Sequence, residues 1–361
     1  MGVYGGPNLV SSNLTLSYDM SNTVKSWKGA PTTNIVTAPD TNNITSTDIP
    51  SDALNAGITG YSSYNSGYAV HTLSTTSTAS TGKTFTYSLW MRSSSSPSST
   101  YLMYVYDGTG PDSGWWNFGS GSLTSDWVRY TGSRSDMTGT VTSIRIYRLN
   151  QAGTIEICAP QIEVSSFATP FVRGTRSSTQ ALLDLTNSYT LTPTNVAYNS
   201  NNTFSFSNSW FDLNSNNIIT GTQAFTVESW YQTTGTTADE IFGNYGAGSV
   251  TNTLWISGRY GVYINSSVYF PGAPIGAGTY QIVVTRDASG NIVLYRNGVQ
   301  QNTGILSASI AVTFNFRIGA DVNGGGEPFT GTINSVTVYN RALTATEVKQ
   351  NFEARRIRYG V

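Results

Sequence analysis

Catalysis needs side chains that hold a proton, a metal or a covalent bond, and this sequence is sparing with them. It has one histidine, His71, and one cysteine, Cys158. A Ser-His-Asp relay would have to use His71, which lies in the alternating segment "GYAVHTLSTT" with no nucleophile turn near it. That pattern predicts a polar strand residue. Cys158, in "IEICAPQIE", has no basic neighbours to lower its thiol and reads as buried and structural. A retaining glycosidase needs two carboxyl groups about 5 Å apart. Glu156 and Glu163 are seven positions apart with Pro160 between them, and Glu228, in "TVESW", has no partner at short spacing. These residues predict no catalytic site.

Two other kinds of chemistry remain. "YDGTGPDSG" (Asp107, Asp112) and "GADVNGGGE" (Asp321, Glu327) combine carboxylates with backbone carbonyls. Such oxygens suit a structural Ca2+, although ordinary loops have the same composition. No cofactor is required, and no Cys/His zinc spacing is present. Sugars stack their apolar faces on exposed rings beside hydrogen-bonding groups. In "DSGWWNF", Trp115 and Trp116 would point to opposite faces of a strand, so one can face outward. Tyr61, Tyr64 and Tyr68 in "GYSSYNSGY", and Tyr245, Tyr260 and Tyr269 further on, are the other candidates for glycan contact. Packing in cores and subunit contacts is the competing use of each ring.

The elements that must position these residues are strands. Period-2 alternation marks 13–20, 84–92, 101–107, 142–149, 154–164, 224–232, 280–287, 291–298, 315–321 and 331–340. Turn clusters separate them, and Asn297-Gly298 suits a type I′ hairpin. Many short strands predict an all-β protein of sandwiches or jelly rolls. Trp90 and Trp230 occupy equivalent positions in "FTYSLWMR" and "FTVESWYQ" and are expected to fill cores. One helix is predicted, over 345–356. Thr344 and Glu347 form a capping box there, with Leu343 and Val348 as a hydrophobic staple.

A length of 361 residues suggests two domains. Charged residues are only 11% of the chain and the net charge is -1, which excludes a nucleic-acid footprint. No apolar run is long enough to span a bilayer, so no membrane insertion is expected. The opening "MGVYGGPNLV" lacks the basic and apolar regions of a secretory signal, which predicts synthesis in a cytoplasm.

Residues 177–361 resemble a laminin G-like, concanavalin A-like jelly roll. "AFTVESWYQ", "YQIVVTRDASGNIVLYRNGVQ", "FRIGAD" and "FTGTINSVTVYNRALTATEVKQNF" carry the resemblance. In that family a short helix follows the last strand and closes one end. Glucanases of the same fold use carboxylates spaced E-x-D-x-(x)-E on one strand, a spacing absent here. The opening "YGGPNLVSSNLTLSYDMSNTVKSW" resembles laminin G-like virion proteins of tailed phages, especially marine and cyanophage types. "IEICAPQIEVSSFATPFVRGTRSS" resembles the ending of carbohydrate-binding-module-like jelly rolls in phage structural proteins. Residues 1–30 would then start the concanavalin A-like domain, 31–176 would be an inserted carbohydrate-binding-module-like sandwich, and 177–361 would complete the first domain. Two tandem domains with residues 1–30 as an arm is the alternative.

The resemblance implies a non-enzymatic component of a tailed-phage virion: a capsid decoration, a head or neck fibre, or a tail-associated adhesin. Its partners would be other virion proteins, further copies of itself as a homo-oligomer, and a host surface glycan. It would be made in the host cytoplasm and released by lysis. A polysaccharide-binding host adhesin is the alternative. A polysaccharide-degrading glycosidase is the second alternative, opposed by the missing carboxylate spacing. Beyond the closing helix, "ARRIRYGV" holds more charge than closure needs. Arg355, Arg356, Arg358 and Tyr359 are expected to contact a neighbouring subunit.

Overall fold

The computed structural model describes residues 7–20, 22, 25–39, 44–64, 71–93, 100–148, 154–199, 204–234, 240–246, 254–257, 261–264, 267–268, 276–311, 313–322 and 328–361. The chain divides into two compact units, Met1–Lys28 with Ser178–Val361, and Gly29–Ser177. Among the described residues no helix is long and apolar enough to cross a membrane.

The discontinuous unit is built on two antiparallel sheets. One has six strands in the order Leu14–Asp19, Gly331–Tyr339, Phe225–Thr233, Gly278–Arg286, Asn291–Arg296 and Val299–Ile305. The other has seven: Thr192–Thr194, Trp210–Asp212, Arg317–Ile318, Glu240–Gly243, Leu254–Ser257, Gly261–Ile264 and Ser267–Val268. Phe225, Val227, Ile282, Val284, Val336 and Val338 of the first meet Phe211, Phe242, Leu254, Ile256 and Ile318 of the second in one core. The strand expected over 315–321 shortens to Arg317–Ile318. Gly319 has φ 97° there, and a Cβ on it would meet Phe206 at 2.4 Å. At the hairpin 297–298, Asn297 and Gly298 both have positive φ, 50° and 73°, as a type I′ turn requires. Trp27 bridges Leu182, so the two ends of the long excursion are paired within this unit.

Trp230 is fully buried, but not between the sheets as expected. Thr226, Glu228 and Trp230 alternate with Phe225 and Val227 and point to the other face of the six-stranded sheet. The helix Ala345–Arg355 and the residues after it cover that face. Phe352 stacks on Trp230 with ring centroids 5.6 Å apart, and Tyr359 lies 4.8 Å away. Beneath them Glu228 accepts from Trp230 Nε1 (3.2 Å), Gln281 Nε2 (3.0 Å) and Asn351 Nδ2 (2.7 Å). Arg355, 3% exposed, sits 3.8 Å from Asp19 and 3.9 Å from Glu228. Burial alone would lower the Arg355 pKa. Glu228, then Tyr359 and Asp19, outweigh it and raise the value, so the guanidinium stays charged.

The helix starts as its sequence dictates. Thr344 is the N-cap and forms a complete capping box with Glu347. Leu343 and Val348 are buried together with Val283, Tyr295 and Tyr339. Arg341 donates to both oxygens of Glu347, at 2.9 and 2.7 Å.

The Gly29–Ser177 unit is a second sandwich. His71–Ala79, Thr140–Arg148, Thr100–Gly110 and Gly114–Ser122 form a four-stranded sheet. Ile44–Thr45, Gly60–Tyr64, Ile155–Val164, Phe85–Arg92 and Val128–Arg134 form a five-stranded one. Phe85, Tyr87, Leu89 and Met91 pack against Met103, Val105, Ile144 and Ile146 between them. Trp90 is again on the opposite face from these, half-buried against Ile49, Ala53, Ile58 and Phe171. A bulge at Ala159 (φ 51°) shifts the register between Cys158 and Gln161, so that Ile157 and Ile162 both reach the core.

The motif "QIEVSSFATPF" closes this unit. Glu163, fully buried, accepts from Gln161 Nε2 (2.7 Å), Thr169 N (2.9 Å), Thr169 Oγ1 (2.8 Å) and Thr32 Oγ1 (2.7 Å). Arg176 donates to Thr169 Oγ1 (3.0 Å), Pro170 O (3.2 Å) and Ala30 O (2.8 Å). Thr32–Thr33 and Thr175–Arg176 pair as a short ribbon. Polar groups placed at fixed spacing therefore tie the start of this unit to its end.

Two outcomes follow for stability. Arg355→Met leaves Asp19 and Glu228 buried without that cation and should cost about 3–5 kcal/mol in urea unfolding; a loss below about 1 kcal/mol would contradict the arrangement. The second concerns pH. The hydrogen bond from Arg341 acts first to lower Glu347, burial opposes it, and bonds from Thr344 add, so its pKa falls from the ordinary 4.5 to about 2. A lowered folded value means stability that is complete above pH 4.5 and lost as pH falls through about 2. The pair is 26% exposed on each side, so screening leaves on the order of 1–2 kcal/mol. Urea titrations across that interval should show a steeper acid loss for the wild type than for Glu347→Gln, and parallel curves would contradict it.

Candidate functional site

The strongest grouping of ligand-type side chains lies on the outer face of the four-stranded sheet of the Gly29–Ser177 unit. Along Thr100–Gly110, residues 101, 103, 105 and 107 are buried and alternate with half-buried Leu102, Tyr104 and Tyr106. Along Thr140–Arg148, Ile144 and Ile146 are buried while Arg145 and Tyr147 face the other way. Pairing places Arg145 opposite Tyr104, and Tyr106 opposite Trp115. The period of two thus delivers five side chains to one surface.

Their contacts are specific. Tyr104 and Tyr147 meet edge to face at 5.5 Å. Tyr106 and Trp115 lie 5.0 Å apart, tilted. The Arg145 guanidinium is 3.9 Å from the Trp115 ring centroid and 5.5 Å from that of Tyr147, and Nη1 donates to Tyr147 Oη at 2.6 Å. Asp112 lies in the hairpin beside these strands, near enough for its charge to act on Tyr104. Burial first, and the charge of Asp112 second, raise the Tyr104 pKa, so its hydroxyl stays protonated as a donor. Of this group sequence reasoning singled out Trp115 and Asp112. It missed Tyr104, Tyr106, Arg145 and Tyr147, whose signal was the outward register of "YLMYVYD" and "SIRIYR".

Trp116 faces inward, as alternation requires. It packs on the core, lies 4.7 Å from the Arg134 guanidinium, and donates from Nε1 to Asp107 at 2.9 Å. Asp107 also accepts from Thr109 N and Oγ1, Ser80 Oγ, Thr138 N and Gly139 N. Burial would raise its pKa, and the bonds from Thr109 and Gly139 lower it on balance. These donors occupy both oxygens, so the carboxylate ties the 107–109 and 138–139 turns together as a cation would. Asp321 is buried, and its backbone carbonyl accepts from Arg317 Nη1 at 2.7 Å. Glu327 lies outside the described residues. Among the described residues no group of three His, Cys, Asp or Glu side chains forms a metal cluster.

The tyrosine groups do not form one groove. Tyr61 meets Trp127 edge to face at 5.5 Å, next to Arg92, which also pairs with Glu156 and Asp48. Tyr64 packs against the core between the sheets instead. In the other unit Tyr245 stacks on Trp255 at 5.9 Å. Tyr68, Tyr260 and Tyr269 lie outside the described residues. Cys158 is buried, and its thiol is pushed up to about 12 by burial, with Asp52 adding. His71 begins a strand, and its side chain lies outside the described part.

The tail corrects an expectation. Arg355 cannot reach a neighbouring subunit, because its guanidinium is buried against Asp19 and Glu228. Arg358 donates to Asp19 Oδ2 at 2.8 Å, and Tyr359 Oη to Oδ1 at 3.3 Å. These residues fold back on their own sheet. Arg356 pairs with Glu353 on the helix and remains 43% exposed on its side chain.

No curated protein matches the chain. Domain 4 of AbnA, a GH43 extracellular arabinanase from Geobacillus stearothermophilus, solved with arabinotriose, is 20% identical, with 46% of this chain and 91% of that one covered at a TM-score of 0.35. The CBM40 of the Ruminococcus gnavus IT-sialidase, bound to alpha2,3 sialyllactose, is 20% identical, with 44% and 96% covered at 0.32. The NanB sialidase from Streptococcus pneumoniae is 18% identical, with 40% of this chain covered at 0.33; this chain spans 26% of that sialidase. Residues 204–349 match the family described as the concanavalin A-like lectin/glucanases superfamily, and the two-sheet unit that contains them has a fold of that kind.

Proposed function

We propose that the protein is a non-enzymatic glycan-recognition component of a tailed-phage virion, with the outer face of the four-stranded sheet as its binding surface. The observation that carries the binding reading is the joint presentation of Tyr104, Tyr106, Trp115 and Tyr147 with Arg145 on one sheet face. Half-buried rings beside hydrogen-bonding groups are what a saccharide needs from a protein surface. The lectin-like family match of the other unit agrees with a binding protein.

The non-enzymatic reading is supported by what the conspicuous carboxylates do. Glu228 holds Trp230, Gln281 and Asn351, Glu163 holds Thr32 and Thr169, and Glu156 pairs with Arg92. Each is engaged in holding its unit together. The virion reading rests on the opening "NLTLSYDMSNTVKSW" and the ending "QIEVSSFATPF", which resemble phage structural proteins, and on the low charge. A repeated particle position would make the protein a homo-oligomer. Particle purification should then find the chain in many copies per virion.

The binding surface is tested by screening the full chain on a glycan array and titrating the best ligand. Trp115→Ala should weaken binding at least about tenfold with no release of reducing ends by the wild type. Unchanged binding by a folded Trp115→Ala chain would refute the surface.

A further inference from the structure

The charged groups around this face are used differently. Both oxygens of Asp107 are filled by donors of its own unit. Arg145 stacks on Trp115 and donates to Tyr147. Asp112 is exposed, and no described cation pairs with its carboxylate. Its place is set by the backbone. Asp112 and Trp115 bridge each other, with Trp115 N donating to Asp112 O at 3.0 Å and Asp112 N to Trp115 O at 3.4 Å. Ser113 and Gly114 between them have φ 51° and 92°, as a tight hairpin turn requires. Directly opposed residues of an antiparallel pair project to the same side. Asp112 therefore stands on the side of the sheet that carries Trp115. The turn also lies close against Tyr106, since a Cβ on Gly114 would meet that ring at 2.6 Å. Asp112 is near enough to Tyr104 for its charge to act there as well.

Resting on the reading of this face as a glycan site, we propose that Asp112 is its hydroxyl-binding residue and that the ligand is a neutral saccharide, two of whose adjacent hydroxyls donate to this carboxylate while the sugar lies on the neighbouring rings. An ionised carboxylate only accepts hydrogen bonds, and its two oxygens can take two donors side by side. Neighbouring sugar hydroxyls are such donors. Hydrogen bonds to a charged acceptor are roughly twice as strong as neutral ones. The side chain is short and sits on a turn closed by two backbone bonds, so little freedom is lost when a ligand binds. An acidic sugar would bring a like charge to the same place, and like charges brought together at a binding surface count against the wrong ligand.

The test titrates the full chain with neutral dextran, galactan and mannan, with acidic polygalacturonate and polysialate, and with the best oligosaccharide from the array, at about 50 mM NaCl, where charge effects are least screened. We expect the tightest probe to be neutral and both acidic polymers to bind at least about tenfold more weakly. Asp112→Asn keeps the shape of the side chain and removes its charge. It should weaken the tightest neutral probe at least about tenfold at an unchanged melting temperature, because the side chain is exposed. If Asp112→Asn does not fold, the ranking of neutral against acidic probes decides alone. An acidic probe bound more tightly than every neutral one would overturn the proposal. So would neutral binding that is lost in Trp115→Ala and kept in a folded Asp112→Asn chain, and either result leaves the glycan face standing. Failure of every polymer, together with a blank glycan array, would remove both.

Discussion

One buried cation organises the concanavalin A-like unit. Arg355 comes from the last turn of the C-terminal helix, Asp19 from the first strand and Glu228 from the middle of the six-stranded sheet. Removing these charges from water is costly, and the cost is recovered only if every one is met. Arg358 adds a second cation to Asp19, so two carboxylates face two guanidiniums. The remaining capacity of Glu228 is filled by an indole, an amide of Gln281 and an amide of Asn351. The same Asn351 accepts from Val10 N at 2.9 Å. Residues far apart in sequence are thus fastened to one face.

The other unit uses the same logic with neutral donors. Glu163 gathers hydroxyls, an amide and a backbone N–H from both ends of its segment, and Asp107 does so for two turns. A chain with few charges places several of them inside, where geometry must be satisfied. Its surface is left to hydroxyls, amides and aromatic rings. The outward aromatics of the four-stranded sheet belong to that surface and form the face proposed for recognition.

Much of the fold was legible because it obeys local rules. The alternating segments became strands, the Asn297-Gly298 turn took positive φ at both positions, and Thr344 with Glu347 capped the helix. Alternation does not say which face is inside when both faces are covered, and so Trp90 and Trp230 were expected between sheets yet lie on the opposite sides. The burial of Arg355 was not legible either. Arginine in a last helical turn suits the helix dipole on a surface, and its partner Asp19 is distant in sequence. For the site, Trp115 was readable as an outward candidate from its neighbour Trp116. Its companions depended on the order in which three strands pair, which brings Arg145 diagonally across to it. No local pattern encodes that order.

The face formed by Tyr104, Tyr106, Trp115, Arg145 and Tyr147 is the one proposed to hold saccharide. Crystals of the full chain grown with the oligosaccharide it binds best test this directly. Sugar density across that face is the expected result. Density for the sugar elsewhere, with this face bare, would contradict it.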